Sequence, residues 1–557
     1  MSTKNEPTLT SEKIKDHNQK NKPMKKLIPK DGWEGLRENF TTDALSGFLV
    51  FLLALPLSLG IAKASLYPTL FGLVTAIVGG VIVSFFMGSR LSIKGPAAGM
   101  IVIASGSVSA FEAHHPGMGW QLALGAVVVA GLIQIAFGVL KLGNFADFFP
   151  GAAIHGMLAA IGVIIMAKQL HLLMGINPAE LKGKEPLELL AMLPASVMHE
   201  NAHMTEIGIA CLLILVIMGF VKNQHIKKIP APLIVLAVSI PLGFALHIKT
   251  DGAIANFALV KVGSIFDAFK NGIINADFSG LSTDTGIFIQ YVVLYALIGS
   301  IESLLTAKAV DGMDPYKRKT NFNKDLWAVG LGNTISGLLG GLPMISEVAR
   351  SSANVSYGAK TRWANFFHGL FLLLAVLFAV PLIEMIPNVA LAAMLVFVGF
   401  RLAHPREFKH MWHIGMDQFF IFVTTLIITL ATDLLIGVGS GIVLEILVNL
   451  IHGAKLGNLF KSKTEVQEQG NQIQMNVKGD AVFSNFLGLK KKIYALPHGK
   501  HVSINLSNCG VIDHTTLHSL NDFKNDYQAE GGMVIISGHE HHSHKGHDTT
   551  STRVKKH

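Results

Sequence analysis

The sequence predicts an all-α polytopic membrane protein of about fourteen segments in a seven-plus-seven inverted repeat, followed by a small cytoplasmic α/β domain. Three observations carry this expectation. Half of the 557 residues are hydrophobic and only 15% are charged, with a mean hydropathy of +0.46, far from the composition of soluble globular proteins. The charge is also confined: the runs 47–62, 122–140 and 207–221 contain no Asp, Glu, Lys or Arg. Finally, a pattern at 149–158 recurs at 386–395.

Residues 1–42 read as a cytoplasmic tail. It is polar and Lys-rich and has no short apolar stretch of the kind that marks a cleavable leader, so the first span itself is expected to direct insertion. Apolar runs of about 17 to 25 residues place spans near 43–63, 68–87, 120–140, 150–170, 206–222, 231–247 and 285–306. A second series lies near 325–340, 363–382, 387–402, 416–433 and 434–452. Two further segments, 96–110 and 344–356, are too short or too broken by Gly, Ser and charge to cross, and read as half-length. The membrane region is thus 43–455, with repeats over 43–247 and 285–455.

Basic residues set the orientation, because Lys and Arg collect in short cytoplasmic loops. With the N-terminus inside, the inner loops hold Arg90 and Lys94; Lys141; Lys222, Lys227 and Lys228; Lys317, Arg318, Lys319 and Lys324; Lys360 and Arg362; and Arg401, Arg406 and Lys409. Both termini are then cytoplasmic in a multi-pass inner-membrane protein, and the net charge of +9 belongs to these loops rather than to a nucleic-acid surface. The two cysteines, Cys211 and Cys509, offer no disulfide framework.

The internal repeat aligns Pro150, Ala153, Met157, Leu158 and Gly162 with Pro387, Ala390, Met394, Leu395 and Gly399. Each copy follows a Gly/Pro-interrupted short segment, Gly95–Gly99 in one half and Gly341–Ser346 in the other. Such paired short segments point to a transporter site near the bilayer midplane. Seven segments in the first half force the second to start on the opposite side, hence the inversion.

A half-helix that starts inside the membrane leaves its first N–H groups unpaired and aims a partial positive charge beyond them, which suits an anion. Pro96 fits a first helical turn, where its missing N–H is not needed, and Ala97, Ala98 and Gly99 admit a ligand to the backbone. Pro343, Ile345 and Ser346 match this in the second half, Ser346 adding a hydroxyl. Simple kinking of two helices is the alternative. Glu302 lies deep in an apolar span, where an ionisable group usually faces a cavity. Glu347 and Arg350 are three apart, as in a structural ion pair, or Arg350 lends positive potential to an anion. His155 reads as a core histidine and Asp433 as a residue near a membrane face.

These residues resemble the sulfate permease (SulP) family, bacterial relatives of prestin and pendrin, over nearly the whole chain. The resemblance rests on Asp43–Phe48 with Leu55–Gly60, on Gly88–Gly99, on Glu302–Leu305 with Asp311, on Asn333 through Pro343, and on Arg350–Asn354 with Gly358–Thr361. It implies a core domain, a gate domain and an anion held between the third and tenth segments. Substrate contacts then fall to Pro96, Ala97, Ala98, Gly99, Ile345, Ser346 and Arg350, and the coupling ion to Glu302, Thr306 and Glu347. At position 347 many members carry a small or neutral residue, so Glu347 is a departure.

Residues 465–540 resemble the family's STAS domain, with strands near Ile473–Val477, Val502–Leu506 and Met533–Ile536 and a helix opening near Asp513; the βαβ alternation is visible without the resemblance. His514 stands where related domains place a phosphorylatable Ser. The His-rich tail 541–557, with Gly538–Glu540 before it, reads as a transition-metal binder or a disordered polar tail. No catalytic set, resident metal or cofactor is expected. The expected partners are a small inorganic anion such as sulfate or bicarbonate, H⁺ or Na⁺ as coupling cation, membrane lipid and a second copy of the chain. A nucleobase-type symporter of the same fold, or a membrane sensor acting through the STAS domain, are the alternatives.

Overall fold

The computed structural model describes residues 28–555 except 144–148, 182–183, 224–225, 227–228, 253, 271, 498 and 530. Most of the tail expected over 1–42, and Lys227 and Lys228, lie outside the described residues.

Inside a bilayer each backbone N–H and C=O needs a partner within the protein, so long apolar runs become helices. The first half contains α1 (Gly32–Ala64), α2 (Thr69–Ile77, prolonged by a π turn and a 3₁₀ turn to Phe85), strand β1 (Ile93–Pro96), α3 (Ile101–His114), α4 (Gly119–Val139), α5 (Gly151–Leu173), the short α6 (Pro186–Met198), α7 (Ala202–Phe220) and α8 (Ala231–Ala245). The second half contains α9 (Thr285–Met313), α10 (Phe322–Leu338), strand β2 (Met344–Glu347), α11 (Val348–Ser356), α12 (Trp363–Phe378), α13 (Asn388–Leu402), α14 (Pro405–Ile414), α15 (Met416–Ala431) and α16 (Leu434–Ile451). Among the described residues seven helices are long and apolar enough to span, with five shorter apolar ones. Large apolar side chains such as Phe220, Phe378 and Ile451 face outward, each about four-fifths exposed, as a lipid-facing surface requires.

The repeat is visible as contact. A Cβ built on Gly162 of α5 would lie 2.5 Å from the carbonyl oxygen of Gly399 on α13, and one on Gly399 would lie 2.7 Å from that of Gly162. Equivalent positions of the two copies therefore meet backbone to backbone, which only glycine permits. The helices run in opposite directions there: Gly151, at the start of α5, and Ile414, at the end of the short α14 that follows α13, both touch the C-terminal domain.

That domain has strands β3 (Lys463–Gln469), β4 (Gln472–Ala481), β5 (His501–Ile512), β6 (Met533–Ser537), β7 (His542–His544) and β8 (Arg553–Lys555), with helices α17 (Phe483–Ile493) and α18 (His514–Ala529). β4, β5 and β6 are parallel neighbours, and Val502, Ile504 and Leu506 of β5 share one apolar core with Phe486, Leu489, Leu520 and Phe523 of the helices. The tail is not an open polar extension: β8 pairs with the end of β5 and β7 with β8, and buried His542 bonds through Nε2 to the Cys509 carbonyl at 2.8 Å. Among the described residues no three His, Cys, Asp or Glu side chains gather as a metal site.

The two parts are joined by Lys308–Asp522 at 2.8 Å, by Lys319–Asp526, and by the His547 amide donating to the His413 carbonyl at 3.0 Å. Asp513 sits at this junction. Its carboxylate accepts from the amides of Phe483 (2.5 Å) and Thr516 (2.8 Å), tying the starts of α17 and α18 together. Burial pushes its carboxyl up to about 6 although these amides pull it down. A folded value above the unfolded value of about 3.9 means the folded state prefers the protonated acid, so stability is full below about pH 4 and declines as pH rises to about 6. In Asp513→Asn this decline should disappear from the hydrogen-exchange protection of β5 and α18 in the full chain, once corrected for intrinsic exchange; a wild-type slope would assign it to another group. The neighbouring His514 is held neutral, its value lowered by burial to about 4, with Nδ1 3.0 Å from the Thr550 carbonyl oxygen.

Candidate functional site

The two Gly/Pro-interrupted segments pair directly with each other. β1 and β2 form an antiparallel ladder with Ile93 opposite Glu347, Lys94 opposite Ser346, Gly95 opposite Ile345 and Pro96 opposite Met344. Non-helical backbone at membrane depth is tolerated when it is enclosed by protein and paired, and here each segment pairs with the other. This corrects two local expectations. Pro96 closes a strand, where its missing N–H leaves no gap in the ladder, and Ser346 lies in β2 ahead of its helix. Helical backbone starts at Ala98 in the first half, as a 3₁₀ turn leading into α3, and at Val348 in the second.

A polar framework fixes the ladder. Lys94, expected in an inner loop, is fully buried and its Nζ lies 2.6 Å from Asp325 Oδ2; it also donates to the Ser346 hydroxyl at 2.5 Å. Asp325 Oδ1 accepts from the amides of Gly88 and Ser89 at 3.1 and 3.0 Å. The Ser346 amide donates to Ser303 Oγ at 3.1 Å. Both polar groups of Ser346 expected to face an anion are thus engaged within the protein. Two asparagines act alike at the two strands: Asn333 accepts from the Met344 amide at 2.6 Å, and Asn365 from the Lys94 amide at 3.2 Å. Sequence reasoning assigned no site role to Lys94, Asp325, Ser303 or Asn365; the available signal was a polar group in or beside an apolar run.

Glu302 projects from α9 onto the start of the first short helix. A Cβ on Gly99 would fall 2.2 and 2.4 Å from the two carboxylate oxygens, so the absence of a side chain at Gly99 admits the carboxylate to the backbone. Glu302 is 8% exposed and its Oε1 has no hydrogen-bond partner among the described residues. Thr306, one helical turn further on, is buried, as are Ala97, Ala98 and Ile345. Glu347 caps α11, accepting the Arg350 amide at 2.7 Å, while its side chain stays 3.9 Å from Arg350 Nε. The Arg350 guanidinium is fully buried, and none of its three nitrogens has a hydrogen-bond partner among the described residues. It lies against Gly95 of β1. His155 instead pairs with Glu407 at 3.1 Å, part-exposed, and Asp433 caps α16 through the Ile436 amide at 2.9 Å.

The ladder thus brings the Gly99 backbone, Glu302, Glu347 and Arg350 around paired short helices within a polytopic bundle. The sequence model of the Sulfate permease family matches residues 40–425. The chain belongs to the sulfate permease family. Among relatives of this family member, the bicarbonate transporter BicA of Synechocystis sp. is 28% identical over 404 residues, covering 72% of this chain and 68% of BicA. YvdB of Bacillus subtilis is 27% identical over 422 residues, 73% of each chain. The solved transmembrane domain of a cyanobacterial BicA superposes with a TM-score of 0.62 at 24% identity, covering 72% of this chain and 97% of that one. SLC26A9 superposes with a TM-score of 0.65 at 15% identity, covering 95% and 88%. As a sulfate permease family member the chain is a membrane transport protein rather than an enzyme.

Proposed function

We propose that this protein moves a small inorganic oxyanion, sulfate or bicarbonate, across the cytoplasmic membrane by alternating access, coupled to H⁺ or Na⁺. The observation that carries this reading is the buried Arg350 guanidinium without a hydrogen-bonding acceptor among the described residues, packed against Gly95 of the ladder, while the unpartnered Glu302 oxygen belongs to the carboxylate seated at Gly99. A buried guanidinium whose N–H donors lack acceptors is costly, and an oxyanion supplies such acceptors. The formal charges state the coupling. Lys94 offsets Asp325, and Glu347 at 3.9 Å offsets the charge of Arg350 without hydrogen-bonding its guanidinium, so Glu302 is the acid of this cluster with no cation paired to it among the described residues. An oxyanion entering beside it adds like charge, and the helix-end dipoles offset only about 1–2 kcal/mol, against a penalty of several kcal/mol for a buried unpaired ion. A proton or Na⁺ at Glu302 restores balance, so anion and cation cross together. Glu302, Thr306 and Glu347 form the proposed cation side, and Ala97, Ala98, Gly99 and Arg350 the anion side. Residues 465–540 act as a STAS-type regulatory domain on the cytoplasmic face.

Purified protein in liposomes, given labelled sulfate, bicarbonate, chloride and uracil under imposed proton or Na⁺ gradients, tests this. The expected result is uptake of sulfate or bicarbonate, accelerated by one of the two gradients. Uptake of uracil alone would make the protein a nucleobase symporter, and no uptake of any solute would favour a sensor.

A further inference from the structure

A second group of unpaired polar side chains lies at the other end of the bundle from the soluble domain. The start of α5 touches that domain, so its last turns lie at the opposite end, together with the end of α1 and the start of the antiparallel α13. These three elements line a small cleft of about 20 Å³, open on one side, whose walls include Lys63, Gln169, Asn388, Leu391 and Leu395. Lys63 has neither an ion pair nor a side-chain hydrogen bond among the described residues. Gln169 is 97% buried yet its amide has no partner there either. The neighbouring charge is Lys261, also basic. Glu384, the carboxylate close by in the chain, is engaged by the amides of Val262 and Gly263 at 3.0 and 2.9 Å. The cleft also receives the N-terminal end of α13, a fifteen-residue helix, held in place by Asn388 Nδ2 donating to the Phe257 and Leu259 carbonyls.

An unopposed ammonium and a buried amide donor in one cleft make an anion environment, to which α13 adds the positive end of its dipole, its Asn388 amide being engaged by the Ala258 carbonyl at 2.8 Å. Its floor leads toward the central ladder: Leu395 belongs to the same apolar cluster as Ala97, Ala98 and Ile345. We propose that Lys63 and Gln169 form an entry subsite that takes a small inorganic anion from the side facing away from the soluble domain, with Leu391 and Leu395 as the apolar barrier below it. This rests on the oxyanion-transport reading. It adds a second, peripheral place where the anion is held before the barrier opens.

A peripheral subsite acts on capture, so its loss changes KM on one face of the membrane. In oriented proteoliposomes, Lys63→Gln should raise the KM for sulfate and bicarbonate about three- to tenfold when the anion is supplied from the far face. It should leave Vmax, and the KM from the soluble-domain face, unchanged. The effect should shrink as added salt shortens the screening length, and Lys63→Arg should restore the wild-type KM. Gln169→Glu, which places like charge in the cleft without altering Lys63, should raise the same KM at least as much. Unchanged far-face KM in both variants would overturn the subsite, as would equal impairment from both faces in protein that remains monodisperse. A wild-type protein that carries no anion from either face overturns the functional reading instead.

Discussion

Glu302→Gln is expected to abolish gradient-driven accumulation, bringing the inside-to-outside anion ratio to about one while leaving the folded protein and anion binding in place. Gln keeps the length of the side chain, and Gly99 gives its amide the same seat against the start of the first short helix. What disappears is the charge. An amide cannot take up and release a proton at neutral pH, nor match a carboxylate as a Na⁺ ligand, so the charge balance that ties cation to anion is lost. If Glu302 served only to brace the ladder, Gln would retain much of that bracing and accumulation would persist. The measurement is labelled-anion accumulation in proteoliposomes under a fixed gradient, beside counterflow at zero gradient, which reports binding and exchange without coupling. Wild-type accumulation by Glu302→Gln would move coupling elsewhere, first to Glu347, which is part-exposed next to Arg350.

Hydropathy located the spans because lipid admits few backbone solutions besides the helix. It was less informative at their ends. The run read as 43–63 belongs to a helix over Gly32–Ala64, since its first turns carry charge and lie outside the apolar layer; the run read as 285–306 continues to Met313 through Lys308 and Asp311 for the same reason. β1 and β2 were legible as interruptions but not as strands: four residues carry too little periodicity, and the partner that makes each one extended lies about 250 residues away. Lys94 shows the same limit. A lysine beside an apolar run reads as a loop cation, and only Asp325, 231 positions on, makes its burial possible. Glu302 was legible because an isolated acid within an apolar helix is too costly to persist unless it faces a cavity, an ion or a helix end. In the soluble domain β4 and β5 were visible by alternation, with Ile473, Met475 and Val477 and then Val502, Ile504 and Leu506 buried, and β6 as a short apolar run, whereas β3, exposed along nearly its whole length, offered no such pattern.

Breaking the Lys94–Asp325 pair should have the largest effect on stability. Lys94 is fully buried and Asp325 nearly so, and removing one partner of a buried pair costs about 3–5 kcal/mol because the other charge remains desolvated. Lys94→Met fits an apolar environment but leaves the Asp325 charge with the Gly88 and Ser89 amides and a long bond from the Ser346 hydroxyl at 3.4 Å, and takes the Lys94 ammonium away from that hydroxyl. The ladder should loosen at Lys94–Ser346, and transport should fail with it. Asp325→Asn alone should also destabilise by several kcal/mol, about as much as Lys94→Met, since it leaves the fully buried Lys94 ammonium without a counter-ion. The double variant Lys94→Met/Asp325→Asn carries no unpaired charge and should recover most of the stability lost by Lys94→Met, a coupling that two independent residues would not produce. Lys308→Ala is the control: its pair with Asp522 is part-exposed, and such pairs are worth about 1 kcal/mol or less. Thermal loss of the monodisperse species in detergent, compared across these four variants, measures the effect. A Lys94→Met protein as stable as Lys308→Ala would mean that the pair does not hold the ladder.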